Sequence, residues 1–322
     1  MKLKPYFRFL NRSKLKRASL SKLALFLLIS TSFCTQGVAS AQTVAEEKAL
    51  IEKGSVDISA RVEKLLGEKK KKEAINLLVA SLQGSGKVNL KTQAIKNFSL
   101  QQQNNYELYL RLSRAFETDR AQQIYELAMA SKKSNPALAL QKIEEAVLVE
   151  PTQQLLILEK IRMTIAKKDC LAAEPLLEPL KAKYFFDEEI LLLSLQQQLC
   201  LQKPIEGQLI LLKKQVPLIK AEWLWLSLSI QQKLQAKQWV TSFEEIERLK
   251  KIDGAYPEVF YFEWVIGYQT KNYRMSTAQK YQKKCEELTG FVYRKYNLDP
   301  LLCQRVAEVI EDLNNLKKKQ AG

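Results

Sequence analysis

Apolar residues recur three or four positions apart along most of the chain. Runs such as PALALQKIEEAVLV and EWLWLSLSIQQKL predict amphipathic helices of three to four turns. Alternation bounded by turn residues, the signature of a strand, is nowhere convincing. Some helices, EEILLLSLQQQL among them, are apolar on more than one face, which predicts cover on more than one side. The pattern also repeats. With Ala139 as origin, small residues recur at Ala173, Gly207, Ser242 and Ser276, at intervals of 34, 34, 35 and 34. Large apolar residues twelve positions earlier keep the step: Leu127, Ile161, Leu195, Ile230 and Trp264. Four residues on come Ser131, Ile165, Leu199, Leu234 and Tyr268, while a column of Ile124, Leu158, Leu192 and Tyr261 slips in the fourth unit, where Ser227 sits beside Leu226. A spacing of four puts two columns on one helix face; the small column needs a second helix that approaches the first closely.

Two helices per 34-residue unit resemble the tetratricopeptide repeat, and Leu127-Ala128, Ala139, Ala146 and Pro151 match that family's leucine-small pair, its two small second-helix positions and its terminal proline. The resemblance covers residues 120–290 as about five units; Trp264-Val265 and Lys280 depart from the pattern. It implies an all-α, right-handed α-solenoid of helix hairpins, with other helical-hairpin solenoids as the alternative. Residues 42–119 read as an N-terminal helical region with one degenerate repeat, in which Val62 and Leu66 fit a first helix and Ala74 takes the small position. Its register is lost around Gly84-Ser85-Gly86. Residues 291–322 read as a capping helix and basic tail, starting with Asp299-Pro300 as N-cap and first turn and presenting Val306, Val309, Ile310, Leu313 and Leu316 on one face.

Composition changes the picture at the N-terminus. Eight Lys or Arg and no acid precede the apolar run Leu23–Phe33, and Ala39-Ser40-Ala41 offers a cleavage site, so residues 1–41 are expected to be a signal peptide. An uncleaved anchor is the alternative. Lipidation at Cys34 is disfavoured by the large Phe33 before it. Of the formal charge of +16, eight belong to this leader, leaving +8 for residues 42–322. An exported, moderately basic chain makes nucleic acid an unlikely partner and leaves anionic envelope polymers or acidic proteins open. The mature chain holds no further run long enough to span a membrane.

The chain has no histidine, which removes His triads, HExxH zinc sites and His general bases. The stretch Gln83–Lys87 imitates a phosphate loop but has Ser81 and Val88 where a Walker motif needs Gly and Ser or Thr. Glu144-Glu145, Glu188-Glu189 and Glu244-Glu245 are adjacent pairs, which do not face each other on a helix. The expectation is a protein without enzymatic activity and without cofactor or metal.

Four cysteines follow the leader: Cys170, Cys200, Cys285 and Cys303. In the repeat register Cys170 opens one second helix and Cys200 closes the next first helix, on one edge; Cys285 and Cys303 meet at the other. The expected pairs are Cys170–Cys200 and Cys285–Cys303, with four free buried thiols as the alternative. In the same register Cys170 shares a column with Pro136 and Pro204, each opening a second helix. Pro175 falls just past the tolerant first turn and Pro179 is interior, so a kink or shortened helix is expected there.

By resemblance, such repeats bind peptides on a concave surface lined by first helices. The carried-over lining is Tyr125, Met129, Leu156, Met163, Ile190, Leu193, Trp225, Leu228, Phe262 and Ile266. Glu159, Gln197 and Gln232 stand where some members clamp a terminal carboxylate, and only the amides partly match. The expected function is a periplasmic or envelope scaffold that binds an apolar or amphipathic protein segment in this groove, unless the chain's own N-terminal region or a second copy fills it. The alternative is a structural or anionic cell-wall-polymer-binding module.

Overall fold

A computed structural model describes residues 57–83, 100–184, 186–215, 219–288 and 295–321. The chain divides into two units, Met1–Leu50 and Ile51–Gly322, and every described residue belongs to the second. The leader, Cys34 and the Gly84–Lys87 turn lie outside the described residues. Helix makes up 77% of the described residues, in fourteen helices with no strand. They are α1 Ile58–Gly67, α2 Lys71–Gln83, α3 Leu100–Arg114, α4 Asp119–Ser131, α5 Pro136–Val149, α6 Gln154–Ala166, α7 Cys170–Lys183, α8 Glu188–Cys200, α9 Glu206–Gln215, α10 Glu222–Gln235, α11 Trp239–Asp253, α12 Glu258–Gln269, α13 Met275–Glu287 and α14 Val306–Ala321.

From α4 to α13 these form five consecutive hairpins, each first helix also packing on its predecessor's second helix where α5–α6, α7–α8, α9–α10 and α11–α12 touch. First helices touch one another too, along α6–α8–α10–α12. They run parallel. Tyr109 bridges the starts of α6 and α8 through Gln154 and Asp187, Glu188 accepts from Ala221 and Trp225 at the start of α10, and Trp223 stacks near Tyr256, just ahead of α12. At the opposite edge, Gln235 donates to the carbonyl of Leu199, joining the ends of α10 and α8.

Local chemistry sets the helix ends. Thr118, Asn135, Asp169 and Asp187 accept from first-turn amides, and Pro136 occupies a position whose N–H would be orphaned anyway. Four first helices of the series end the same way. Lys168, Gln202, Lys237 and Lys271 have φ near +60°, and around each the next amide bonds back to the carbonyl five residues earlier, as Asp169 does to Thr164. This is the Schellman closure, built on residues other than glycine. Lys69 closes α1 identically, which marks α1–α2 as a hairpin of the same make.

The turn explains where the small column slips. In α2, α5, α7 and α11 the fourth residue is the small one, and Ala74, Ala139, Ala173 and Ser242 are fully buried. The linkers after Gln202 and Lys271 are two residues longer, so α9 and α13 start later and their fourth residues are Leu209 and Ala278. Gly207 and Ser276, which follow the sequence step, are exposed, and no side chain approaches Gly207. Pro204 accordingly precedes α9 rather than opening it. Leu127 is also exposed, its neighbour Ala128 being the buried member of the pair.

Two further expectations change. Helix α7 keeps fourteen residues despite Pro175 and Pro179. Both prolines are exposed and one turn apart, so the carbonyls they leave unpaired lie on the face open to water. The last helix begins at Val306, not after Asp299, because residues 300–305 form turns ending near Cys303, whose φ is +60°. Ile310 points out, while Val309, Leu313 and Leu316 pack on Trp264, Ala278 and Tyr281.

The cysteines stand as expected: Cys170 and Cys200 with Cα atoms 5.9 Å apart, Cys285 and Cys303 with 5.6 Å. Closing loops of 30 and 18 residues restricts the unfolded chain by about 3 kcal/mol each. Mass spectrometry of the unreduced protein is expected to find none of these four cysteines alkylated. Reduction is expected to lower the melting temperature, with Cys170→Ser/Cys200→Ser reproducing part of that loss.

Candidate functional site

The first helices were expected to line a groove. Seven of the ten carried-over residues, Leu156, Met163, Ile190, Leu193, Trp225, Leu228 and Phe262, are instead buried inside the chain at 4% exposure or less. Leu156 and Met163 pack on Ala128, Ala139 and Ala146 of the preceding hairpin, and Ile190 and Leu193 on Leu158, Ile161 and Ala173 of theirs. These columns therefore face the previous hairpin, and as a solvent-facing lining the set does not stand. Tyr125, Met129 and Ile266 are half-buried, Tyr125 against Phe116 at 5.4 Å. Of the three clamp positions, Gln197 donates to the carbonyl of Cys170 and Gln232 accepts from the amide of Ile205.

Glu159, the third, is fully buried at the centre of an ionic cluster. Lys132 reaches it at 2.5 Å and Arg162 at 2.6 Å. Arg162 also pairs with Glu189, which Arg114 holds at 2.9 Å while bonding Asp187 at 3.1 Å. Three cations and three carboxylates thus meet where α3, α4, α6 and α8 converge. Burial alone would push the Glu159 carboxyl up, but Lys132 and Arg162 override it and hold the carboxyl below its ordinary value. Arg162 continues as a polar column through Gln196 and Gln231 on successive first helices, all buried. Both amide atoms of Gln196 lack a hydrogen-bond partner among the described residues.

A segment of the chain itself lies against these helices. Residues 295–305 follow the last hairpin, and Tyr296 sits in an aromatic pocket, its ring 5.3 Å from Trp223 and 5.4 Å from Tyr256, its hydroxyl donating to Asp253 at 3.1 Å. Leu302 joins the core cluster of Leu192, Leu195 and Leu228, with Leu298 packed beside it. Asp299 is buried and accepts from the Tyr256 hydroxyl. Arg305 donates to Glu258 at 3.0 Å and to Gln231 at 3.3 Å, with its guanidinium over the Tyr261 ring. The backbone amide of Cys303 also donates to Glu258. At the far side Lys132 donates to Asn297 at 3.0 Å, so the segment joins the first hairpin to the face of the fourth and fifth.

No family model, curated protein or solved structure matches the chain. Its site is therefore read from its own residues. The buried charges were missed because the family register drew attention to apolar columns. One signal was present: Arg162, Gln196 and Gln231 also recur at the repeat step, as polar residues in otherwise apolar helices. For Tyr296, Asp299 and Arg305 no spacing in the sequence announces which helices they meet.

Glu159→Gln leaves Lys132 and Arg162 buried beside a neutral amide, and is expected to cost about 3–5 kcal/mol in denaturant unfolding. Glu258 behaves in the opposite sense. Burial pushes its carboxyl up to about 6, against the pull of Arg305. A raised acid contributes stability that is complete below the unfolded value near 4.5 and lost as pH rises through about 6. Relative to wild type, Glu258→Gln is expected to gain about 2 kcal/mol between pH 4.5 and pH 7.5. Parallel stability curves for the two proteins over that range would contradict the assignment.

Proposed function

We propose that the chain is an exported, tetratricopeptide-like solenoid scaffold without enzymatic activity, whose first-helix face takes an extended protein segment bearing an aromatic residue, leucines and a carboxylate. The observation that carries this reading is the chain's own segment 295–305, seated there through Tyr296, Leu298, Asp299 and Leu302. Such an arrangement combines a buried aromatic anchor, apolar contacts and fixed polar partners, the anatomy of a peptide-recognition groove. In this reading the own segment holds the groove until a partner with the same chemistry displaces it.

Three features support the setting. Hairpins of about 34 residues follow one another through α4–α13, with the first helices α6, α8, α10 and α12 in contact along the series, as a solenoid requires. Cysteines at disulfide distance fit an oxidising compartment and agree with the expected leader. Among the described residues no helix is long and apolar enough to cross a membrane.

A labelled peptide of residues 295–305, with serine for Cys303, tests the proposal in fluorescence anisotropy against two full-length proteins. The variant Tyr296→Ala/Leu302→Ala, with its own segment loosened, is expected to bind the peptide at least tenfold more tightly than wild type does, and a peptide lacking the tyrosine to bind neither. A variant that keeps its helical circular dichroism and binds no peptide would refute the groove.

A further inference from the structure

The charge of this chain is gathered on one edge. In the five hairpins of α4–α13, the turns between first and second helices span 132–135, 167–169, 201–205, 236–238 and 270–274. They contain eight cations, Lys132, Lys133, Lys167, Lys168, Lys203, Lys237, Lys271 and Arg274, and one acid, Asp169. Their net charge of +7 compares with +8 for all of residues 42–322. The turns at the opposite ends, 115–118, 150–153, 184–187, 216–221 and 254–257, contain Glu117, Glu150 and Asp187 and a single base, Lys220, which pairs with Glu107. Because the first helices run parallel, the cationic turns share an edge: the Cys170–Cys200 pair joins the second and third, and the Gln232–Ile205 bond joins the third and fourth.

Most of these cations are free to meet a ligand. Lys132 is committed to Glu159 and Asn297, and Lys133 is exposed and donates to the carbonyl of Leu288 at 3.5 Å. Lys167, Lys168, Lys203, Lys237, Lys271 and Arg274 are exposed, and Lys168 makes only a long contact of 3.8 Å to Glu308. The others hold no ion pair among the described residues. Nearby acids are few: Asp169 is occupied by the amide of Ala172, and Glu206 opens α9.

Local structure does not account for the choice of residue. Lys168, Lys237 and Lys271 occupy positions with φ of 64°, 58° and 60°, a backbone region that glycine adopts without penalty and that side chains with a Cβ disfavour. A cation near a helix C-terminus is favourable, yet the same turns also lead into second-helix N-termini, where a cation is unfavourable. Lysine stands in this disfavoured backbone at three of the four turns that have it, Gln202 being the exception, and each of the three presents its charge outward.

We infer that this edge binds an extended chain of linked phosphate groups, each turn meeting one or two phosphates. Lysines rather than arginines predominate, and lysine meets a phosphate as a mobile point charge, which suits repeated charges along a flexible polymer better than one group held in a fixed bidentate geometry. The surface lies on turns, apart from the face proposed to bind a protein segment, so either reading can fail alone.

The test uses full-length protein and labelled inorganic polyphosphate, titrated between 50 and 300 mM salt, roughly the range over which counterion release changes affinity steeply. The triple variant Lys168→Gly/Lys237→Gly/Lys271→Gly removes three charges while relieving backbone strain, so its melting temperature is expected to equal or exceed that of wild type. Its affinity at low salt is expected to fall at least tenfold, and its salt slope to flatten by about two to three. A control, Lys317→Gln/Lys318→Gln/Lys319→Gln, makes the same change in net charge at the end of α14 and is expected to bind within threefold of wild type. Equal losses in both variants would reduce the effect to net charge and overturn the site, as would an edge variant with undiminished affinity. Polyglutamate binding as tightly as polyphosphate would overturn the phosphate assignment.

Discussion

The constraint on which the described structure depends is that its first helices after α4, namely α6, α8, α10 and α12, have no solvent side. In α8, ten of thirteen residues are buried, and they lie all round the helix. The hydrophobic gain from covering Leu191, Leu192, Leu193 and Leu195 is about 2 kcal/mol for each side chain, and no single neighbouring helix can reach them all. Second helices cover one flank and adjacent first helices another. The rest needs elements from outside the repeats: α3, which crosses the starts of α6 and α8 through Tyr109 and Arg114, and segment 295–305, which fills the aromatic pocket beside α10. The irregular ends thus complete the core.

The same closeness explains the ionic cluster. Charges held by α3, α4, α6 and α8 are desolvated together, and burying them gains little over apolar side chains of similar size. What they add is specificity. Glu159 can satisfy Lys132 and Arg162 only when α4 and α6 stand in one register, and Glu189 can meet Arg114 only when α3 lies across α8. An apolar substitute would tolerate sliding by a turn. A carboxylate with two buried cationic partners does not.

Helix content, the hairpin step and both cysteine pairs were legible in the sequence because each is local or periodic. A Schellman turn places the next helix within a few residues, and the 34-residue step then carries Cys170 to the neighbourhood of Cys200. The slips have the same local origin: two extra residues after Gln202 and Lys271 rotate α9 and α13, so Gly207 and Ser276 leave the core although the count from Ala139 still reaches them. Groove and core were confused for another reason. Period alone says that Leu156 and Ile190 share a face, and not which neighbour that face meets. The contact of Tyr296 with Trp223 spans more than two hairpins and leaves no trace in spacing.

Seating a segment of the same chain on the first-helix face has an energetic consequence for the partner proposed there. Residues 295–305 are tethered twice, by the chain that follows α13 and by the Cys285–Cys303 pair, so their effective concentration at the pocket is about millimolar or higher. A partner presenting equivalent contacts from solution at micromolar concentration is outcompeted about a thousandfold, which is about 4 kcal/mol. To bind, it must supply that difference through contacts the own segment does not make, or meet a segment whose tether has been cut. The buried Glu258, shared by Arg305 and the amide of Cys303, sits at this junction. Its ionisation bears on the hold on the segment and, through the Tyr281 hydroxyl that donates to it, on the last hairpin, so cover and scaffold are coupled at this carboxyl.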